Sequence, residues 1–238
     1  DILRLRQKDL YGIVNGIDTV SFDPLTDKAL GVNYDVATLE KRAINKKLLQ
    51  DRLGFALDPN IPLFAIISRM DVQKGVDLAF TALKNMKRIN FQAVILGTGN
   101  PKLEEAARSL QEQFPDKIKA ELRFDAKLAR QIYAGADMIL MPSRYEPCGL
   151  AQMIAMRYGC VPVVRAVGGL KDTVKQDETG FVFEKAHHMS LVSAIKTAMK
   201  TMANSEKWQS IQRNGMLKDF SWEASARAYL DLYQTLVK

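Results

Sequence analysis

From residue 63 onward, short unbroken apolar runs alternate with stretches of helical periodicity, and this alternation limits the possible folds more than any other feature. Leu63–Ser68, Phe91–Leu96, Asp137–Met141 and Val161–Val164 read as buried strands, with a weaker strand at Lys119–Phe124 and a short one at Gly180–Phe183. Val76–Lys87, a segment from about Pro101, Ala126–Ala134 and Leu150–Tyr158 read as the helices between them; proline suits a first helical turn. A strand that is apolar at consecutive positions is buried on both faces, because its side chains alternate across the sheet. The pattern predicts an α/β fold: a Rossmann-like parallel sheet covered by helices on both faces. Three C-terminal helices follow, over 190–203, 205–218 and 221–237.

Residues 1–62 read differently, as a lead-in. Gly12–Asp18 is turn-rich and Asp23-Pro24 starts another turn. An amphipathic helix is expected over 36–53, with Val36, Leu39, Ala43, Leu49 and Leu53 on or near one face. Gly54 ends it, and Pro59 and Pro62 close the connection to the expected domain at 63–238. The opening Asp1-Ile2-Leu3-Arg4-Leu5-Arg6 reads as mid-protein sequence, so a fragment of a longer chain is expected.

Bulk properties narrow the function. With 238 residues, 47% of them hydrophobic, the chain can bury one large core. It holds no apolar run approaching the roughly 18 residues of a membrane span. Cys148 and Cys160 cannot build a disulfide framework and lack metal-site spacing, which suits a reducing, cytoplasmic compartment. His187 and His188 are adjacent, show no ligand partners and read as surface residues. The net charge of +7 admits an anionic partner, but basic runs interleaved with aromatics are absent, so nucleic acid is not expected.

Three motifs follow strand ends, where doubly wound sheets bind ligands. In Ser68-Arg69-Met70-Asp71-Val72-Gln73-Lys74-Gly75, two cations five residues apart suit a diphosphate: arginine supplies a planar fork of donors, lysine a compact charge. An ordinary exposed loop would also carry these residues. In Pro142-Ser143-Arg144-Tyr145-Glu146-Pro147-Cys148-Gly149-Leu150-Ala151-Gln152, the amides of Gly149, Leu150 and Ala151 fall at a helix start, a position that favours anions. Glu146 there suits sugar hydroxyls or a cationic anomeric carbon; helix capping is its simpler reading. Cys148 by default is a buried, inert thiol. Gly168-Gly169 after the next strand permits a tight loop beside the same crevice, or a plain turn. Phe124, at a strand end, reads as core or as a platform for a nucleobase. Gly97-Thr98-Gly99 fails as a dinucleotide fingerprint because Lys102 stands at the third glycine position.

Together with Asn15-Gly16-Ile17-Asp18, Tyr133-Ala134-Gly135-Ala136-Asp137 and Gly168-Gly169-Leu170-Lys171-Asp172-Thr173-Val174, these strings resemble the bacterial and plant glycogen/starch synthases. Those are retaining α-glucan glucosyltransferases of the two-domain glycosyltransferase-B fold, and Glu146-Pro147-Cys148-Gly149-Leu150 is the most specific string. The resemblance implies that the chain is the C-terminal, donor-binding half of that fold. It implies ADP-glucose (with UDP-glucose left open) as donor, and an α-1,4-glucan acceptor extended at its non-reducing end. Arg69 and Lys74 would neutralise the diphosphate and Glu146 would be the active-site carboxylate. Cys148, Gly149, Leu150, Gly168 and Gly169 would line the donor site, with Phe124 stacked on adenine. No metal or cofactor is implied. The family's N-terminal domain, with its Lys-Thr-Gly-Gly-Leu motif and active-site histidine, does not match anything here, so the chain alone is expected to be inactive. Ile154 stands where broader relatives of the fold carry a second glutamate, which favours a synthase over another retaining glycosyltransferase. A non-catalytic module binding nucleotide sugar or glucan is the remaining alternative.

Overall fold

The computed structural model describes residues 2–237; Asp1 and Lys238, the outermost residues of the two expected segments, lie outside the described residues. Strands β1 (Leu63–Ile67), β2 (Gln92–Leu96), β3 (Ile118–Glu121), β4 (Met138–Met141), β5 (Val161–Arg165) and β6 (Phe181–Phe183) form one sheet in the order β3-β2-β1-β4-β5-β6. Every neighbouring pair is parallel. Strand order reverses between β1 and β4, and at such a point the loops leaving the two strands diverge and open a crevice.

Helices α1 (Ile2–Leu5), α2 (Arg42–Arg52), α3 (Val76–Asn85), α4 (Pro101–Gln113), α5 (Ala126–Gly135), α6 (Ala151–Arg157), α7 (Gly168–Thr173), α8 (His188–Met202), α9 (Ser205–Met216) and α10 (Trp222–Leu236) complete the chain. The sheet divides two apolar cores. Leu63, Ala65, Ile139 and Val164 face one, while Phe64, Ile66, Leu140 and Val163 face the other. This alternation, buried on both sides, is the reason the strands read as unbroken apolar runs. Caps define the helix starts: Asn100 and Asp125 accept from the amides of Lys102 and Leu128, and Ser221 from that of Ala224.

The lead-in departs from expectation. Its helix starts at Arg42 after a 3-10 turn at Leu39–Lys41, because the Asp35 carboxylate accepts from the Thr38 amide and hydroxyl and holds residues 35–38 as a turn. Ala43 is exposed, and the buried side carries Arg42, Asn45, Lys46 and Gln50 beside Leu49. Apart from the Arg42 Nε, which is buried without a partner, these polar groups find partners within the fold. Arg42 donates to the carbonyls of Tyr133 and Ala136, Lys46 to Asp137 and the Pro59 carbonyl, and Gln50 to Gln92 and the Asp58 carbonyl. Hydrophobic periodicity cannot report a helix docked this way.

Candidate functional site

The loop after β1 places Arg69 and Lys74, and the loop after β4 places Glu146; all three line one cavity of about 350 Å³ at the carboxyl end of the sheet. Asp71 caps a 3-10 turn at Val72–Lys74 by accepting from the Gln73 amide, which presents Lys74 toward the crevice. Gly75 follows with φ of 66°, and a Cβ there would lie 2.1 Å from the Pro142 carbonyl oxygen. Left-handed backbone and the near contact with the second loop both demand glycine.

Glu146 is 4% exposed. Its Oε2 accepts from Lys74 Nζ at 2.6 Å and from Ser143 Oγ at 3.2 Å. Arg69 is exposed, and its guanidinium has no partner among the described residues. The backbone amides of Gly149 and Leu150, which also line the cavity, likewise have no acceptor among the described residues. One side of the crevice therefore holds a carboxylate already matched by a cation, and the other a free cation with free amide donors.

Several expectations need correction. Helix α6 spans only seven residues, with Leu150 as its N-cap, so dipole and amides offer less to an anion than the longer expected helix. Gly168 and Gly169 do not form a loop; they begin α7. The Gly169 amide donates to the Glu146 carbonyl at 3.1 Å, and a Cβ on Gly169 would lie 2.0 Å from the Cys148 carbonyl oxygen. Their part is to let α7 seat against the Glu146 loop. Cys148 is only half-buried, unlike Cys160, whose thiol burial pushes up to about 12. β3 stops at Glu121, and Phe124 is 87% exposed rather than core. It stands beside a second, mainly apolar cavity of about 260 Å³ that also involves Leu96, Thr98 and Arg123 and shares Ile67, Ser68 and Arg69 with the first. His187 caps α8 by accepting from the Met189 amide, and its ring lies 4.2 Å from that of His188.

Gln152 closes the second motif, but the sequence reading gives it no role of its own. It is fully buried and donates to the carbonyls of Cys148 and Gly149, bracing the Glu146 loop. An amide on a helix reads as surface in a periodicity analysis; only its place at the end of the second motif, one turn after Cys148, marks it.

The chain is thus a doubly wound α/β domain with a carboxylate, two cations and an apolar niche at its switch point, where sheets of this kind hold their ligands. The chain belongs to the glycosyl transferases group 1 family, which matches residues 49–215. It is 46% identical to the glycogen synthase of Thermotoga maritima over 98% of this chain and 49% of that protein. With the glycogen synthase of Streptococcus sanguinis it shares 44% identity over 99% of this chain and 51% of that protein. The chain thus spans about half the length of the curated relatives it matches. Among solved structures, the catalytic domain of starch synthase IV from Arabidopsis thaliana, bound to ADP and acarbose, is 34% identical with a TM-score of 0.89, covering 98% of this chain and 50% of that one. A C-terminal domain of a group 1 glycosyl transferase from Francisella tularensis, at 19% identity and a TM-score of 0.61, shares the fold; it covers 90% of this chain and 98% of that one.

Proposed function

We propose that this chain is the C-terminal, donor-binding part of a glycogen/starch synthase, which transfers glucose from ADP-glucose to the non-reducing end of an α-1,4-glucan with retention of configuration. The observation that carries the reading is the convergence of Arg69, Lys74 and Glu146 on one cavity that adjoins the apolar niche beside Phe124. A nucleoside diphosphate sugar has the matching sequence of parts: an aromatic base, a dianionic bridge and a neutral hexose. The base stacks on Phe124, whose exposed ring is available for it. The diphosphate lies between Arg69, Lys74 and the amides of Gly149 and Leu150. The hexose lies against Glu146, near Cys148 and the loop that Gly168 and Gly169 support.

Catalysis follows from charge. As the bond to the diphosphate breaks, negative charge grows on the leaving oxygen and positive charge on the anomeric carbon. Arg69 and Lys74 face the first, and the Glu146 carboxylate faces the second. Lys74 neutralises both the carboxylate and the phosphate, keeping two anions compatible within one small cavity. The ADP in the Arabidopsis structure supports an adenine nucleotide over a uridine one. The acceptor glucan and the rest of the cleft come from the remaining polypeptide, since transfer needs both substrates held together. Trp222, Leu230 and Tyr233 on α10 are about half exposed or more and offer an apolar face to that other domain. The free thiols of Cys148 and Cys160 suit the cytoplasm as its compartment.

Calorimetry with ADP-glucose tests the donor site: saturable binding is expected, and a folded sample that binds nothing at millimolar ligand would sink the reading. In the complete enzyme, Glu146→Ala should lower kcat by roughly two to three powers of ten, the range seen when one charge-stabilising group is removed. Near-native turnover would remove Glu146 from the mechanism.

A further inference from the structure

The geometry points to Arg144 as a positioning residue: through Asp77 it ties together the two loops that carry Lys74 and Glu146, and so sets their separation. This rests on the donor-site reading above and adds a residue that touches neither substrate nor reacting atoms.

The need for a tie comes from the sheet. β1 and β4 pair only at Phe64↔Met138 and Ala65↔Ile139. Beyond those positions no ladder among the described residues joins the two strands, so the first loop is held against the second by contacts outside the sheet. Arg144 makes the connection. Its Nη1 and Nη2 donate to the two carboxylate oxygens of Asp77, each at 2.7 Å, and Nη1 also donates to the Val72 carbonyl at 2.7 Å. Its backbone amide donates to the Gln73 carbonyl at 2.7 Å, and Gln73 Nε2 returns a bond to the Tyr145 carbonyl at 3.1 Å. Lys74 is the residue after Gln73, and Glu146 the residue after Tyr145. Each charged group thus sits one residue beyond a cross-tie. From the other side, Arg165 Nη1 donates to the carbonyls of Ser143 and Arg144, holding the second loop to β5.

Arginine is required because only its fork reaches both carboxylate oxygens and a carbonyl together. Asp77 sits in the first turn of α3, where a carboxylate suits the helix dipole, and the Arg144 hydrogen bonds hold its carboxyl below the ordinary aspartate range. The pair is about one-third exposed, and such pairs add little to global stability. Its loss should therefore register in the site rather than in the fold.

The test is a double-mutant cycle read by calorimetric ADP binding to the 238-residue chain, with thermal melts in parallel. Arg144→Met and Asp77→Asn should each weaken ADP binding about tenfold, because small displacements of a binding group are costly. In a Lys74→Ala background, Arg144→Met should cost less than about twofold further, since the two act as one unit. Native affinity in Arg144→Met, or a full additive loss in the double variant, would overturn the role. If Arg144→Met does not fold, the nearly isosteric Asp77→Asn in the same background carries the test. A native chain that binds no ADP removes the donor site and this role with it, whereas native binding with unmoved variants removes the positioning role alone.

Discussion

The two ends of the sheet both carry cavities lined by charge, yet they differ in what the charge is doing. At the amino end a space of about 610 Å³ lies among α2, α8, α9 and the start of β4, larger than the 350 Å³ at the carboxyl end. Its buried charges are Arg42, Lys46 and Asp137. Lys46 Nζ donates to Asp137 at 2.7 Å, Asp137 also accepts from the Leu63 amide, and Arg42 is tied to two carbonyls. These groups serve to dock a helix on the sheet. At the carboxyl end, Arg69 and two backbone amides have no such protein partner among the described residues. Volume alone therefore does not distinguish the two ends; a cation and amides without an internal partner do.

That contrast can be broken most forcefully at the amino end. Lys46→Met leaves Asp137 buried without its cation and should lower unfolding free energy by about 3–5 kcal/mol in urea melts. ADP affinity of the folded fraction should stay native; a parallel loss of affinity would make the amino end more than a structural dock. The carboxyl end should behave in reverse. Arg69→Ala and Phe124→Ala should each change stability by no more than about 0.5 kcal/mol. Calorimetry should show ADP binding weakened by about 1–3 kcal/mol in each, from lost charged hydrogen bonds and lost base stacking. A melt that falls with the binding would erase the distinction.

The smallest effects are in pH, and the two ends should respond oppositely. Cys160, just before β5, has its thiol raised by burial from 9.0 to about 12. The folded state holds that proton more tightly than the unfolded chain. Its contribution is full below the unfolded value and is lost as pH rises through this window. Chemical melts of the native protein should therefore lose stability relative to Cys160→Ala between those values. Asp77, near the carboxyl end, has its carboxyl lowered, chiefly by the Arg144 hydrogen bond. Its contribution is present above the ordinary aspartate range and is lost as pH falls through the lowered value. Acid should thus loosen ADP binding less in Asp77→Asn than in the native chain, a difference titration calorimetry resolves.

Much of this is legible in the sequence. Each strand was expected within a few residues of where it lies, because a segment buried on both faces has a local signature. The weakest, at 119–124, was misplaced where burial is partial: β3 covers 118–121 and only Ile118 is fully buried. The start of α2 and its polar docking face were illegible, since Arg42, Lys46 and Gln50 are buried by virtue of distant partners such as Tyr133, Asp137 and Gln92. The paired glycines stand out in the sequence, but their structure does not, because helix and loop are equally compatible with two such residues.

By itself the sequence determined the strand and helix alternation, and with it the end of the sheet at which every motif falls, since a motif that follows a strand must emerge at that strand's carboxyl edge. Only the tertiary structure decided which edges are neighbours. Lys74 and Glu146 stand 72 residues apart in the chain and meet at 2.6 Å because β4 pairs with β1 rather than with β3. Side-chain periodicity is a property of a few consecutive residues, whereas strand order is a property of the whole packed sheet.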